Sequence, residues 1–174
     1  YPISSMGSHV SVVPNHQLNR ITSLHTRANV AYFGTFGYEL DLNKLTDEEI
    51  AEVKAQIIFM KEYRELIQFG NFYRLKSPFD GNETVWMTVS EDKRKALVFW
   101  YRERNVVNAE FTRVRLQGLD PDLIYKNEYN GTENYGDELM NLGLLTTDVT
   151  AGEPTNEDLP CTDYESRIYV LTAE

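Results

Sequence analysis

The sequence is poor in the residues that carry covalent and metal chemistry. Its 174 residues hold one cysteine and three histidines. A lone thiol, Cys161, excludes an internal disulfide framework and fits a reducing compartment. It lies in an acidic stretch, which disfavours the thiolate and makes it a poor nucleophile. Positive charge is short as well: 17 Lys and Arg stand against 27 Asp and Glu. The net charge of -10 argues against nucleic acid or an anionic membrane surface as a partner. No apolar run approaches the ~20 residues that cross a bilayer. There is no Gly-x-Ser-x-Gly elbow, since Met6-Gly7-Ser8-His9 lacks the first Gly. Nor is there a phosphate-cradling loop, because Gly34-Thr35-Phe36-Gly37 is too short and no Lys follows it. Two glycosylation-type triplets, at Asn82 and Asn130, read as chance matches in a chain with no secretory signal.

What remains is a globular composition, 41% hydrophobic and 25% charged, long enough for one domain or for one domain plus part of another. The chain opens on Tyr1 with neither an initiator Met nor a signal-type segment, and a strand pattern over residues 6–13 begins almost at once. No sequence precedes that strand to complete its sheet. The expectation is the tail of a larger, acidic, cytoplasmic protein.

Residues 1–70 alternate between strand and helix patterns. Pro14 ends the first strand, Thr22 or Ser23 can cap a helix running to Phe33, and Gly34 and Gly37 break it. Residues 38–42 alternate as a second strand that places Glu39 and Asp41 on one face. Thr46 and Glu49 spell a capping box. Ile50, Val53, Ile57, Met60, Tyr63 (or Arg64) and Ile67 then recur at helical spacing, predicting a helix to Phe69 that stops at Gly70. Strand, helix, strand, helix is the rhythm of a parallel α/β sheet.

From Asn71 the period changes to two. Residues 71–75, 85–89, 96–101, 111–116, 123–129 and 166–171 read as strands separated by turn residues, the pattern of an antiparallel sandwich or barrel. Residues 146–160 read as a long surface loop. Trp86 and Trp100 sit mid-strand and are expected in the core. Tyr125, Tyr129 and Tyr135 border a polar turn and are the better candidates for exposure.

No catalytic constellation emerges from the residues alone. His9, His16 and His25 are spaced seven and nine apart, without the i, i+4 spacing of helical metal ligands, so no metal is expected. Glu39 and Asp41 would stand ~7 Å apart, two strand steps, which suits a glycosidase pair, but any i, i+2 acidic pair does the same. Ion pairing or capping explains them as well.

A resemblance adds to this. Tyr1-Pro2-Ile3-Ser4-Ser5-Met6-Gly7-Ser8-His9-Val10-Ser11 and Pro14-Asn15-His16-Gln17 closely resemble the late barrel region of bacterial α-galactosidases of glycoside hydrolase family 36. Thr26-Arg27-Ala28-Asn29-Val30-Ala31, the run Phe33-Gly34-Thr35-Phe36-Gly37-Tyr38-Glu39-Leu40-Asp41-Leu42, Phe72-Tyr73-Arg74-Leu75 and Tyr135-Gly136-Asp137-Glu138-Leu139-Met140 continue the match. The resemblance implies a mixed fold. Residues 1–70 would be the remnant of a (β/α)8 TIM barrel, its last two strand-helix units (strands 7 and 8), and residues 71–174 an all-β antiparallel C-terminal sandwich. It implies a retaining α-galactosidase that releases terminal α-linked galactose from melibiose- and raffinose-type oligosaccharides, without a cofactor. The family's catalytic Asp pair precedes the Met6–Ser11 motif and so lies outside this chain, leaving no catalytic or sugar-contacting residue within it. His9, Asn15 and His16 would support the pocket from behind. The implied partners are α-galactosides, the rest of the catalytic barrel and, in the full-length form, further copies of the protein in a homo-oligomer. The alternative is a non-catalytic carbohydrate-binding or structural β-sandwich module with a helical extension.

Overall fold

The computed structural model describes residues 1–106, 111–146 and 163–173. They fall into two compact units, Tyr1–Gly70 and Asn71–Glu174.

The first unit runs β1 (Val10–Ser11), α1 (Leu24–Ala31), β2 (Tyr38–Glu39) and α2 (Asp47–Phe69). The two strands are parallel, with Val10 opposite Tyr38 and Ser11 opposite Glu39. Both are shorter than their sequence patterns. Residues 6–8 are held by single long-range bonds instead of a ladder: Thr35 donates its N–H to the Met6 carbonyl at 2.8 Å, and the Ser8 hydroxyl donates to the Ala31 carbonyl. Gly34 permits this, because a Cβ there would stand 2.5 Å from the Met6 carbonyl oxygen. The second strand ends at Glu39 because Asp41 caps a short 3-10 turn over Leu42–Lys44.

Ser23 caps α1 by accepting the Thr26 N–H. The predicted capping box forms on α2, with the Thr46 hydroxyl accepting from the Glu49 N–H and the Glu49 carboxylate accepting from the Thr46 N–H. Val53, Met60, Tyr63 and Ile67 are buried on its inner face. Gln56 takes the inward position that the apolar pattern gives to Ile57, and Ile57 is half-buried. The helices join through aromatic contacts: Tyr32 stacks on Phe36 at 4.8 Å and meets Phe59 at 4.8 Å, and Phe59 meets Tyr63 at 4.7 Å.

The second unit is a six-stranded antiparallel sheet in the order β3-β4-β5-β10-β7-β8. Its strands are β3 (Asn71–Lys76), β4 (Glu83–Val89), β5 (Lys95–Arg102), β7 (Ile124–Asn127), β8 (Glu133–Tyr135) and β10 (Glu165–Ala173). A two-stranded ribbon of β6 (Arg113–Val114) and β9 (Leu144–Leu145) forms a separate sheet, and α3 (Gly136–Asn141) precedes β9. Val85, Met87, Val98, Trp100, Tyr169 and Leu171 from the large sheet share one core with Val114, Leu139 and Leu144 from the ribbon and α3. The alternating pattern of β4 supplies that face, so Trp86 points the other way and is half-buried while Trp100 is 1% exposed.

Along one end of the core face, directly opposed charges alternate across three strands. Glu83 stands opposite Arg102, and Arg102 opposite Glu165. Lys76 pairs with Glu83, while Arg102 and Arg167 both pair with Glu165. Glu83 also accepts from the Trp100 indole at 3.1 Å and the Thr112 hydroxyl at 3.2 Å. The two guanidinium groups lie 5.5 and 5.4 Å from the Trp100 ring centre.

Several sequence expectations are corrected here. Tyr125 is 1% exposed: its hydroxyl donates to the Lys93 carbonyl at 2.6 Å and accepts from the Asp120 N–H, so the polar turn hides it, whereas Tyr129 and Tyr135 are exposed. The strand expected over residues 111–116 forms only at Arg113–Val114, and Phe111 is exposed. Residues 133–141, unassigned from sequence, form β8 and α3. Of the loop expected over residues 146–160, Thr146 is buried and bonded to Thr112, and residues 147–160 lie outside the described residues, as does Cys161.

Two substitutions test this packing. Thr46→Ala removes one capping bond and should lower stability by about 1 kcal/mol in denaturant titration. Gly118→Ala should cost more, roughly 1–3 kcal/mol, because the residue has a positive φ (+75°) and its new Cβ would stand 2.3 Å from the Tyr73 hydroxyl. Equal midpoints for the Gly118 variant and the unaltered chain would refute that account.

Candidate functional site

Parallel pairing puts the ends of β1 and β2 at the same edge of their sheet. Period-two geometry then sorts the side chains. Val10 is fully buried, and Tyr38 turns toward α2, where its hydroxyl donates to the Gln56 amide oxygen at 2.8 Å. His9, Ser11 and Glu39 belong to the opposite face. There His9 Nε2 meets Glu39 Oε2 at 2.8 Å, crossing from one strand to the other. The pair is half to three-quarters exposed, where an ion pair contributes little to stability.

The segment after β1 is shaped by Asn15. Its Oδ1 accepts from the N–H groups of Gln17 and Leu18, each at 3.0 Å, and its backbone N–H donates to the Arg20 carbonyl at 2.9 Å. Asn15 therefore orders its own loop. His16 is exposed beside it. Among the described residues no hydrogen bond joins either of them to His9. Arg27, which the sequence reading did not single out, reaches back from α1 and donates Nη1 to the Ser11 carbonyl, while its Nε donates to the carbonyls of Thr22 and Ser23. Burial draws its guanidinium below the ordinary value, and Glu49 and Glu52 oppose that. A basic residue on the first turn of a helix that follows a strand was the signal available for it.

Glu39 and Asp41 do not face each other as a catalytic pair. Glu39 is engaged by His9. Asp41 Oδ1 accepts from the N–H and the side-chain amide of Asn43, each at 3.0 Å, which hold its carboxyl below the usual range and keep it ionised. A carboxylate held that way is a poor general acid near neutrality. Among the described residues no three His, Cys, Asp or Glu side chains gather as a metal ion would require. No helix among them is long and apolar enough to cross a membrane.

The comparisons with known proteins place this chain among the glycoside-hydrolase families. Residues 1–70 match the Melibiase family model, and residues 83–171 match the model of the glycosyl hydrolase family 36 C-terminal domain. The chain belongs to glycosyl hydrolase family 36. Over 144 residues, 83% of this chain, it is 53% identical to α-galactosidase AgaA of Geobacillus stearothermophilus. It is 46% identical over the same length to the bifunctional α-galactosidase/sucrose kinase AgaSK of Mediterraneibacter gnavus. These alignments span 20% and 15% of the two relatives, so the chain corresponds to a minor part of either. The crystal structure of the Geobacillus enzyme covers all of this chain with 23% of its own, at a TM-score of 0.89 and 46% identity. A variant of that enzyme solved with raffinose gives 0.90 at 45% identity.

The phenols behind the strand pair carry a pH signature. Burial, reinforced by Glu52, pushes Tyr38 up to about 12, and burial raises Tyr32 as well. Both sit above the unfolded value of 10.0, so the stability they carry is complete below pH 10 and is lost as pH climbs toward 12. Tyr38→Phe should lower stability at neutral pH by roughly 1 kcal/mol for the lost hydrogen bond, yet flatten the alkaline decline. Circular dichroism across that window would show it. An alkaline limb as steep as that of the unaltered chain would exclude Tyr38 as a cause.

Proposed function

We propose that this chain works as part of a retaining α-galactosidase that releases terminal α-linked galactose from melibiose- and raffinose-type oligosaccharides. The observation that carries the reading is the pair of family matches along one chain, Melibiase followed by the family 36 C-terminal domain. It is supported by α-galactosidase relatives, one of which has been solved as variants with raffinose and with stachyose. The binding-module alternative has less support, because such a module has no reason to carry a Melibiase-type front half.

In this reading residues 1–70 are the seventh and eighth strands of a (β/α)8 barrel with their helices, and residues 71–174 are its C-terminal β-sandwich. Barrel enzymes place their chemistry at the C-terminal ends of the strands, the edge from which residues 12–19 and 40–45 emerge here. A retaining glycosidase needs two carboxyl groups ~5 Å apart on either side of the glycosidic bond, one as nucleophile and one as acid/base. The family resemblance implies that this Asp pair precedes the Met6–Ser11 motif and so lies outside this chain, and Glu39 and Asp41 are engaged elsewhere. His9, Asn15 and His16 then hold the rim: His9 through Glu39, and Asn15 through the turn that presents His16. The protein is cytoplasmic, acts as a homo-oligomer, and completes its pocket with the rest of the barrel.

The test is hydrolysis of a nitrophenyl α-galactoside by this chain and by the full-length protein that carries it. The full-length protein should be active and the isolated chain inert. Turnover by the isolated chain would overturn the placement of the catalytic pair. Inactivity of both would overturn the α-galactosidase reading itself.

A further inference from the structure

The hairpin between β7 and β8 carries chemistry that glycoside hydrolysis does not use. Asn130-Gly131 is the chain's single Asn–Gly pair, and it lies at the exposed tip of the loop over residues 128–132. Asn130 Oδ1 accepts two hydrogen bonds, from the Thr132 N–H at 3.1 Å and from the Thr132 hydroxyl at 2.8 Å. Two donors aimed at one carbonyl oxygen are what stabilise the charge that develops there when a nucleophile adds to the carbonyl carbon. The neighbouring nucleophile is the Gly131 backbone nitrogen. Gly131 carries no Cβ, and the space where one would stand is empty for 4 Å. One bond opposes attack: the Gly131 N–H donates to the Asn127 carbonyl at 2.8 Å and must be released first. Loop tips open at the low end of the local stability range.

We propose that Asn130 is a site of spontaneous covalent modification, losing its amide through a cyclic imide formed with Gly131. The Gly131 nitrogen bonds to Asn130 Cγ and gives its proton to solvent base. The Cγ–Nδ2 bond breaks, and the nitrogen leaves as ammonia after taking a proton from solvent. Water then opens the five-membered imide at one of its two carbonyls, giving Asp or isoaspartate, with no change of oxidation state. The two products differ in consequence. An Asp carboxylate can accept the same pair of bonds from Thr132, so the turn persists. Isoaspartate inserts a methylene into the backbone of a loop whose arms pair Lys126 with Glu133 and Tyr125 with Asn134. That insertion displaces β8, an edge strand of the large sheet, from its register.

The experiment ages the full-length protein in mildly alkaline buffer, then cleaves it after Glu128 and Glu133 to isolate the peptide of residues 129–133. Asp and isoaspartate forms of that peptide should accumulate, the latter identified by isoaspartate-specific methylation. T132V should slow the conversion roughly fivefold, the rate equivalent of one ordinary hydrogen bond. N130D should melt with the fresh protein, and isoaspartate-rich aged protein should melt lower. An intact amide in the folded protein, over a time that converts the free peptide, would overturn the proposal. An unchanged rate in T132V would overturn the part given to Thr132, and aged protein melting with the fresh sample would overturn the register effect.

Discussion

Two residue pairs, Val10 with Tyr38 and Ser11 with Glu39, fix the direction of everything at the front of the chain. Because they pair in parallel, the strands cannot be joined by a hairpin, and the connection must cross over through α1. The same direction brings the loop after β1 and the turn after β2 out at one edge. It also buries Val10 and the Tyr38 ring toward the helices and leaves His9, Ser11 and Glu39 on the other side. A parallel ladder of two residues per strand is far too small to hold itself, since even three-stranded sheets need a covered apolar face. The helices supply that cover on one side only, through the aromatic run from Tyr38 past Phe36, Tyr32 and Phe59 to Tyr63.

The second unit solves a different problem, that of a strand arriving late. β10, the last element described, lies between β5 and β7 in the middle of the large sheet. Its eight register pairs with β5 close the core over a long stretch of sequence, which makes the unit slow to assemble and dependent on its final residues. The row of alternating charges at one end of that sheet suits this role. Glu165 begins β10 and meets Arg102 across the sheet, so a strand one residue out of step would lose that partner and also turn Tyr169 and Leu171 away from the core.

Legibility from sequence followed how local the cause was. The α2 helix was readable to the residue because its start lies in Thr46 and Glu49 and its end at Gly70, all within one turn of the boundary. Strands β3, β4 and β5 were readable within two residues because their β-branched and aromatic runs are bounded by turn residues, although β5 is buried without a break from Ala96 to Trp100. The short strands of the first unit were over-extended, since what stops β1 is Ser8 bonding across to Ala31, a partner 23 residues away. α3 went unseen because Tyr135 offers it no side-chain cap and it is six residues long. Tyr125 was misjudged for a like reason: its neighbours are polar, and the Lys93 carbonyl that holds its hydroxyl lies 32 residues off. At the candidate site, sequence singled out His9, Asn15 and His16. It also gave ion pairing or capping for Glu39 and Asp41, which Glu39 with His9 and Asp41 with Asn43 bear out. The Arg27 bond to Ser11 and the inward Gln56 were not legible, because neither belongs to a periodic pattern.

Both tryptophans, Trp86 and Trp100, belong to strands of the second unit, whereas the first unit has only tyrosine and phenylalanine as aromatic rings. The two halves are therefore optically separable. Light absorbed at the red edge of the protein spectrum excites only the sheet, and Trp100, flanked by two guanidinium groups, senses its electrostatics directly. The strand pair and its helices are dark to that wavelength and answer only through the phenol band, so each half carries its own colour of report on folding.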